Sequence, residues 1–383
     1  MRIGIDARFL THPQRGGFKT YSINLINAIH QLDAENEYFI YVDRPYEPGQ
    51  LPVKKNFHYR IVSGTFPIIG MPLREQVLLR AYISKDHLDI FHSLCNTAPI
   101  GLKIKQIITL HDTIQVTLKI RLSGLRNLKY GMITVYSKWA ILRSLKNPGH
   151  IITVSAYEKS QILNLHNELK PSSITVTHLA ASELFKQAHP HERPVLSEEI
   201  FNKFAISGDY LLGIGYEDRK NIPLLIDAFR QLTSEFPDLN LVIVAAEEGR
   251  KQNFQQLVEE YQLSERVRIL GSVSPADLFA LYNLASVFVF PSERESFGLP
   301  PLEAISCGAP TIAMNSSSLP EILGEGALFV EGKNVQQWAD TLRKVLVDPN
   351  LRLKMIENGL RRASELNWEN CARNTIQVYQ QVA

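Results

Sequence analysis

The chain has 383 residues, of which 45% are hydrophobic and 21% charged, and its net charge is +2. That length exceeds one ordinary compact core and points to two or three domains, and the composition excludes extended disorder. No uninterrupted run of 18 apolar residues suits a transmembrane helix, and the start MRIGIDARFL lacks the apolar core of a signal peptide, so a cytoplasmic protein is expected. Cys95, Cys307 and Cys371 are widely spaced without a CxxC, which argues against a disulfide framework or a structural zinc site.

The small net charge conceals a split. Residues 1–190 carry 23 Lys and Arg against 13 Asp and Glu, whereas residues 191–383 carry 18 against 26. Two domains with different tasks would show such a split, and a basic first half would suit an anionic membrane or an acidic substrate. Solvated surface faces would produce it equally well.

In chain order, short apolar runs alternate with amphipathic stretches. Strands are predicted at Arg2–Asp6, Tyr38–Val42, Ile90–Phe91, Gln106–Leu110, Ile151–Val154 and Ile174–Val176. A second series follows at Tyr210–Gly213, Leu239–Ala245, Val267–Leu270, Val287–Phe290, Thr311–Ala313 and Ala327–Val330. Helical spacing recurs between them, as in Thr20–Gln31, Ile222–Ser234, Lys251–Tyr261, Pro275–Leu284, Pro300–Cys307 and Val335–Asp348, and Asn367 is a candidate N-cap for a last helix reaching Val382. Near-continuous apolar strands alternating with helices imply parallel sheets covered on both faces. The series breaks at Glu183–Gly208, which is therefore read as the interdomain linker. The expected architecture is two doubly wound α/β domains in tandem, one over 1–190 and one over 205–366.

The richest stretch is FVFPSERESFGLPPLEAISCG, residues 288–308. A strand ending at Phe290 leads through a polar loop to Gly298, and Pro300 and Pro301 suit a first helical turn. Backbone N–H groups at Ser296, Phe297, Gly298 and Leu299, just ahead of a helix N-terminus, are disposed to receive a phosphate. Glu295 on the loop and Glu303, read as lying in the first turn of the helix, would flank that anion and accept hydrogen bonds from sugar hydroxyls. On the residues alone, a surface loop followed by a capped helix explains the stretch equally well.

The E-x7-E pair Glu295…Glu303 within SERESFGLPPLEAISCGAP resembles the signature of retaining GT-B glycosyltransferases of family 4. Further blocks follow in the family's order: RGGFKTYSINL (15–25), ITLHD (108–112), ITVSAYEKS (152–160), GIGYEDRKNIPLLIDAF (213–229), ILGSVSPADLFALYNLASVFVFPS (269–292) and NSSSLPEILGEGALFV (315–330). The resemblance covers nearly the whole chain. It implies the GT-B fold, with two Rossmann-like domains facing across a cleft and the C-terminal helix (367–383) returning to the first. The first domain would hold a glycan or lipid-diphosphate-linked acceptor and the second a nucleotide-sugar donor.

The resemblance also assigns roles. Lys220, helped by Arg219, would hold the donor's pyrophosphate as charge grows on the leaving group. Glu295 would grip the transferred sugar and Glu303 the ribose. Gly16 and Gly17 would let backbone approach the donor, and His111 would contact the transferred sugar. Val273 falls where relatives bind the nucleobase edge through backbone atoms. Asp112, Arg121 and Lys129 are candidates for the acceptor side. Many relatives carry an Arg directly after the strand-end Gly, where this chain has Tyr216 and a shorter turn, which leaves Arg219 as the candidate replacement. Neither cofactor nor metal is expected, because the family needs no divalent ion and no DxD context occurs here.

Between Thr113 and Tyr157 the chain has no Asp or Glu but seven cations, including Arg121, Arg126, Lys129, Lys138, Arg143 and Lys146, interleaved with Leu122, Met132, Trp139 and Leu142. This pattern reads as a surface for anionic lipid or a lipid-linked diphosphate, or as core-facing helices with a solvated basic face. No nucleic-acid-reading motif accompanies the charge. The expected reaction is retaining transfer of a hexose, from UDP-glucose first or GDP-mannose second, in polysaccharide assembly. A sugar-nucleotide epimerase of the same fold and a catalytically silent sugar-nucleotide-binding protein are the alternatives. An NAD-dependent oxidoreductase is disfavoured because no G-x-G-x-x-G follows the first strand.

Overall fold

In the computed structural model all residues are described except 14–15, 48, 50, 65–68, 118–124, 147–148 and 246, together with the side chains of 115, 125–130, 248 and 250. The chain forms two compact units, Met1–Leu179 with Trp368–Ala383, and Ala180–Asn367.

The first unit is built on a parallel sheet with seven strands among the described residues: β1 (Arg2–Asp6), β2 (Glu37–Val42), β3 (Phe57–Ile61), β4 (Ile90–Ser93), β5 (Lys105–Leu110), β6 (His150–Thr153) and β7 (Ile174–Val176). They lie in the order β3-β2-β1-β4-β5-β6-β7, so the chain reverses its direction of travel across the sheet between β1 and β4. Ile3 faces Tyr38 on one side and Ile90 on the other, and all three are fully buried, which is why these strands read as continuous apolar runs. The C-terminal helix Trp368–Val382 belongs to this unit and packs on the helix Gly17–Leu32. The Tyr379 hydroxyl meets His92 Nδ1 at 2.7 Å in the core, and His92 Nε2 meets Thr109 Oγ1 at 2.7 Å.

The second unit repeats the plan with β8 (Tyr210–Ile214), β9 (Asn240–Val244), β10 (Val267–Leu270), β11 (Val287–Phe290), β12 (Thr311–Met314) and β13 (Ala327–Val330), in the order β10-β9-β8-β11-β12-β13. Its switch point lies between β8 and β11. A Cβ on Gly213 would stand 2.4 Å from Leu225 Cδ2, so the helix Ile222–Leu232 can press on β8 only because that position has no side chain. Ligands of doubly wound sheets bind outside the carboxyl ends of the strands at such switch points. The turns that leave β8 and β11 are therefore where a site is built.

Two readings of the sequence are corrected. Glu183–Gly208 is not a bare linker: it lies in the second unit and carries the helix Arg193–Phe204, which packs on the helix Pro275–Leu284. Ala188 N donates to Asn283 Oδ1 at 2.7 Å and Arg193 Nη1 to the Asn283 carbonyl at 2.6 Å, so the segment is stitched down by side chains that leave no apolar stripe. The strand β3 carries the half-buried His58, Tyr59 and Arg60 at the edge of the sheet, and an edge strand of this composition lacks the apolar run that marked the others.

Candidate functional site

The β8 turn and the β11 loop meet over one carboxylate. Gly215 takes a φ of 148°, and a Cβ there would lie 2.6 Å from Lys220 Cβ and Cγ, so glycine is what lets the lysine fold back over the strand end. A short 3-10 turn, Asp218–Lys220, then places Arg219 and Lys220 side by side, and Asn221, with a φ of 48°, starts the helix Ile222–Leu232. The turn is tied to the β11 loop by its backbone: Glu293 N donates to the Arg219 carbonyl at 2.8 Å, and Asn221 Nδ2 to the Pro291 carbonyl at 2.9 Å.

Glu295 is the point of convergence. Its Oε1 accepts from Lys220 Nζ at 2.6 Å, from Arg219 Nη1 at 2.6 Å and from Ser292 Oγ. Its amide donates to Ser317 Oγ at 2.9 Å and its carbonyl accepts from Ser318 Oγ at 3.0 Å, so the turn after β12 fixes the backbone that carries the carboxylate. Lys220 and Glu295 are both buried, and the ammonium also stands 4.5 Å from the centre of the Phe290 ring. Arg219 reaches in the other direction through Nη2 to Glu217 Oε2 at 2.8 Å. Burial works against its charge, but Glu295 and Glu217 outweigh that and hold its guanidinium above the usual arginine range.

After Glu295 the chain passes Phe297, which is buried, and Gly298, whose φ of 100° opens the helix Leu299–Ser306 with Pro300 and Pro301 in its first turn. Glu303 is the fifth residue of that helix, not part of its first turn as read from the sequence. The residue is half-buried. The Tyr282 hydroxyl donates to Glu303 Oε2 at 3.2 Å, and burial pushes the carboxyl up to about 8, with the tyrosine partly offsetting this. At neutral pH Glu303 is thus largely protonated, able both to donate and to accept. Val273 precedes Ser274, which caps the helix Pro275–Leu284 in a reciprocal pair with Asp277.

In the first unit, Gly16 takes a φ of 129° and Gly17 begins the helix Gly17–Leu32, with open space where either Cβ would stand. The next residue, Phe18, packs edge-on against His111 at 4.9 Å, and Tyr21 does so at 4.6 Å, so the glycine turn and His111 are brought together. His111 Nε2 donates to the Leu94 carbonyl at 3.0 Å and its amide to Asn96 Oδ1 at 2.8 Å. Burial lowers its pKa to about 4, with the Leu94 contact raising it slightly, so the ring is neutral. Asp112 is half-buried and accepts from the Ile114 amide at 3.0 Å, capping the short helix that follows. Arg121 lies outside the described residues. Lys129 lies on the helix Leu125–Ser144, and its side chain is likewise outside them.

The sequence alone did not single out Ser292, Glu217 or Tyr282. Tyr282 carried no signal, because helical spacing marks it as core. Ser292 and Glu217 adjoin motif residues and were legible as polar groups at strand ends.

Residues 212–362 match the family model described as glycosyl transferases group 1, a span that contains the whole Glu295 cluster. Over these residues, which lie in the second unit, the chain is similar to the group 1 glycosyl transferases. It is 36% identical over 247 residues to the O-antigen chain mannosyltransferase B of Escherichia coli, covering 64% of each chain. It is 34% identical over 187 residues to a serotype-specific mannosyltransferase of the same organism, covering 48% of this chain and 23% of that one. Each match spans less than two-thirds of the relative's length. Its fold is that of sucrose-phosphate synthase from Thermosynechococcus elongatus, with a TM-score of 0.76 at 20% identity over 100% of this chain and 98% of that one. The fold is GT-B, two Rossmann-like parallel sheets with the C-terminal helix against Gly17–Leu32.

Proposed function

We propose that the chain is a retaining glycosyltransferase that moves a hexose from a nucleoside-diphosphate sugar to a glycan or lipid-linked saccharide in polysaccharide assembly. The observation that carries this is the gathering of Lys220, Arg219 and Ser292 on Glu295 at the carboxyl ends of β8 and β11. Lys220 and Arg219 supply fixed positive charge for a departing diphosphate, where preorganised cations contribute most to rate. Glu295 turns to the hydroxyls of the transferred sugar, and Glu303 to the ribose. The N-terminus of the helix Leu299–Ser306 adds its amides to the phosphate, Val273 receives the base, and the neutral His111 contacts the transferred sugar beside the Gly16–Gly17 turn. The first unit takes the acceptor, with Asp112, Arg121 and Lys129 on that side.

The names of the relatives favour mannose, so GDP-mannose is the donor to offer first and UDP-glucose second. With Glu295 held by two cations and a serine, front-face attack in which the leaving phosphate takes the acceptor's proton fits better than a covalent glycosyl-enzyme. The test is product analysis with each donor and a panel of lipid-linked saccharides. Transfer with the anomeric configuration of the donor preserved supports the reading, whereas inversion, or a glycosylated Glu295 trapped in the protein, refutes the mechanism.

The acceptor side also has a candidate approach to a membrane. On the helix Leu125–Ser144, Met132, Val135 and Trp139 are about half exposed, at 46%, 51% and 51%, at helical spacing on one stripe, and exposed Arg143 and Lys146 continue it. Among the described residues no helix is long and apolar enough to cross a membrane. The stripe suits peripheral contact with anionic lipid.

A further inference from the structure

We propose that Glu217 is a built-in competitor for Arg219, a carboxylate that draws this cation away from bound diphosphate and so speeds release of the spent nucleotide. The proposal deepens the donor-site reading above and rests on it.

Arg219 is shared between two acids. Nη1 donates to Glu295 Oε1 and to the Arg294 carbonyl, both at 2.6 Å, while Nη2 donates to Glu217 Oε2 at 2.8 Å. The backbone around it is pinned by the Glu293 amide on the Arg219 carbonyl and by Asn221 on Pro291, so only side chains are free to exchange partners. Their two ends are not equally replaceable. Glu295 is buried, and the same oxygen also holds Lys220 and Ser292, with Ser317 and Ser318 fixing its backbone. The Glu217 side chain is 43% exposed and can swing into water at little cost. An incoming diphosphate therefore takes the Nη2 end, and Glu217 takes it back when the nucleotide leaves.

The position of this pair in the chain adds to the case. Tyr216, 39% exposed, and Glu217 stand directly after Gly215, which follows β8, so the strand end itself contributes no cation. Arg219 is the second cation of the turn, and its hold on phosphate is set by how firmly Glu217 retains it. A half-exposed ion pair of this kind is worth a factor of about two to five in affinity. Removing it would tighten product binding, and where product release limits turnover the rate would fall with it.

The experiment is calorimetric titration of GDP and UDP into the full chain, as wild type, Glu217→Gln, Arg219→Gln, the double variant and Lys220→Ala. For the nucleotide that the wild type binds, Glu217→Gln is expected to bind about twofold to fivefold more tightly, with the gain absent when Arg219 is also replaced. Unchanged or weaker binding in Glu217→Gln overturns the proposal. So does an equal gain in the Arg219→Gln background, which would mean a general effect of negative charge. Loss of binding in Lys220→Ala with no gain in Glu217→Gln refutes the role of Glu217 alone. Binding of neither nucleotide, or undiminished binding in Lys220→Ala, refutes the donor site and the proposal together.

Discussion

Burial disfavours the charged form of the Glu303 carboxyl and raises its pKa to about 8, and this has a consequence for stability. Its folded pKa, about 8, lies above that of an unfolded glutamate near 4.5, so the folded chain binds the extra proton between those values. Stability from this group is complete below about 4.5 and is lost as the pH rises through about 8. The melting temperature of Glu303→Gln relative to wild type should therefore climb between pH 5 and pH 8 and level off above. A difference that stays constant across that range would show that the carboxyl is not held protonated. His111 is shifted in the opposite sense. With its pKa lowered to about 4, it stays neutral through the range in which an ordinary histidine titrates. The pH profile of kcat/KM should then contain no limb near 6.5 that disappears in His111→Gln, and finding such a limb would contradict a neutral sugar contact.

The elements that carry these residues are set by close approaches and by buried charge. The Leu225 side chain occupies the space that a Cβ on Gly213 would need, so Gly213→Val should push the helix Ile222–Leu232 off β8 and displace Lys220 with it. Overpacking of a tight core typically costs about 1–3 kcal/mol, readable as a lowered midpoint in urea at unchanged slope. In the first unit, Asp6 at the end of β1 is enclosed by Arg8 and by Arg74, whose Nη2 lies 2.9 Å from Asp6 Oδ1, and Arg8 Nη2 lies 2.6 Å from Glu75 Oε2. Burial raises the Asp6 pKa, but the two arginines outweigh it and hold the carboxyl below its usual range. Breaking such a buried set by removing one partner costs about 3–5 kcal/mol, so Arg74→Met should be strongly destabilising. That penalty should shrink as acid protonates Asp6. Full stability in Arg74→Met at neutral pH would show that the set is not coupled.

At the scale of the whole molecule, the parallel sheets were readable because their strands are apolar on both faces, and the site motifs because Gly215, Gly298 and the paired prolines mark backbone that must turn. What could not be read was whatever depends on partners distant in sequence. β3 and the helix Arg193–Phe204 are held by edge pairing and by side-chain hydrogen bonds, neither of which leaves a periodic trace. The setting of Glu303 depends on one residue of helix register and on Tyr282, 21 residues away in the chain. The turn Asn315–Ser318 follows β12. Ser316, Ser317 and Ser318 all bond to the β11 loop, so its hydroxyls serve to hold that loop. The basic helix makes a separate prediction: replacing Trp139 and Arg143 with Ser and Glu should abolish flotation with vesicles rich in anionic phospholipid and leave soluble donor binding intact. Retained flotation would remove the membrane role.

The most direct test is calorimetric titration of GDP-mannose and UDP-glucose into the wild-type chain, Lys220→Ala and Glu303→Ala. One nucleotide sugar should bind the wild type, and loss of a charge-assisted hydrogen bond in Lys220→Ala should weaken it by about tenfold or more. Glu303→Ala should weaken the same ligand, and at about 100 times the Kd the wild type should gain roughly 2.7 kcal/mol of thermal stability. Binding of neither ligand, or equal binding by all three proteins, would contradict the assignment of the donor to this site.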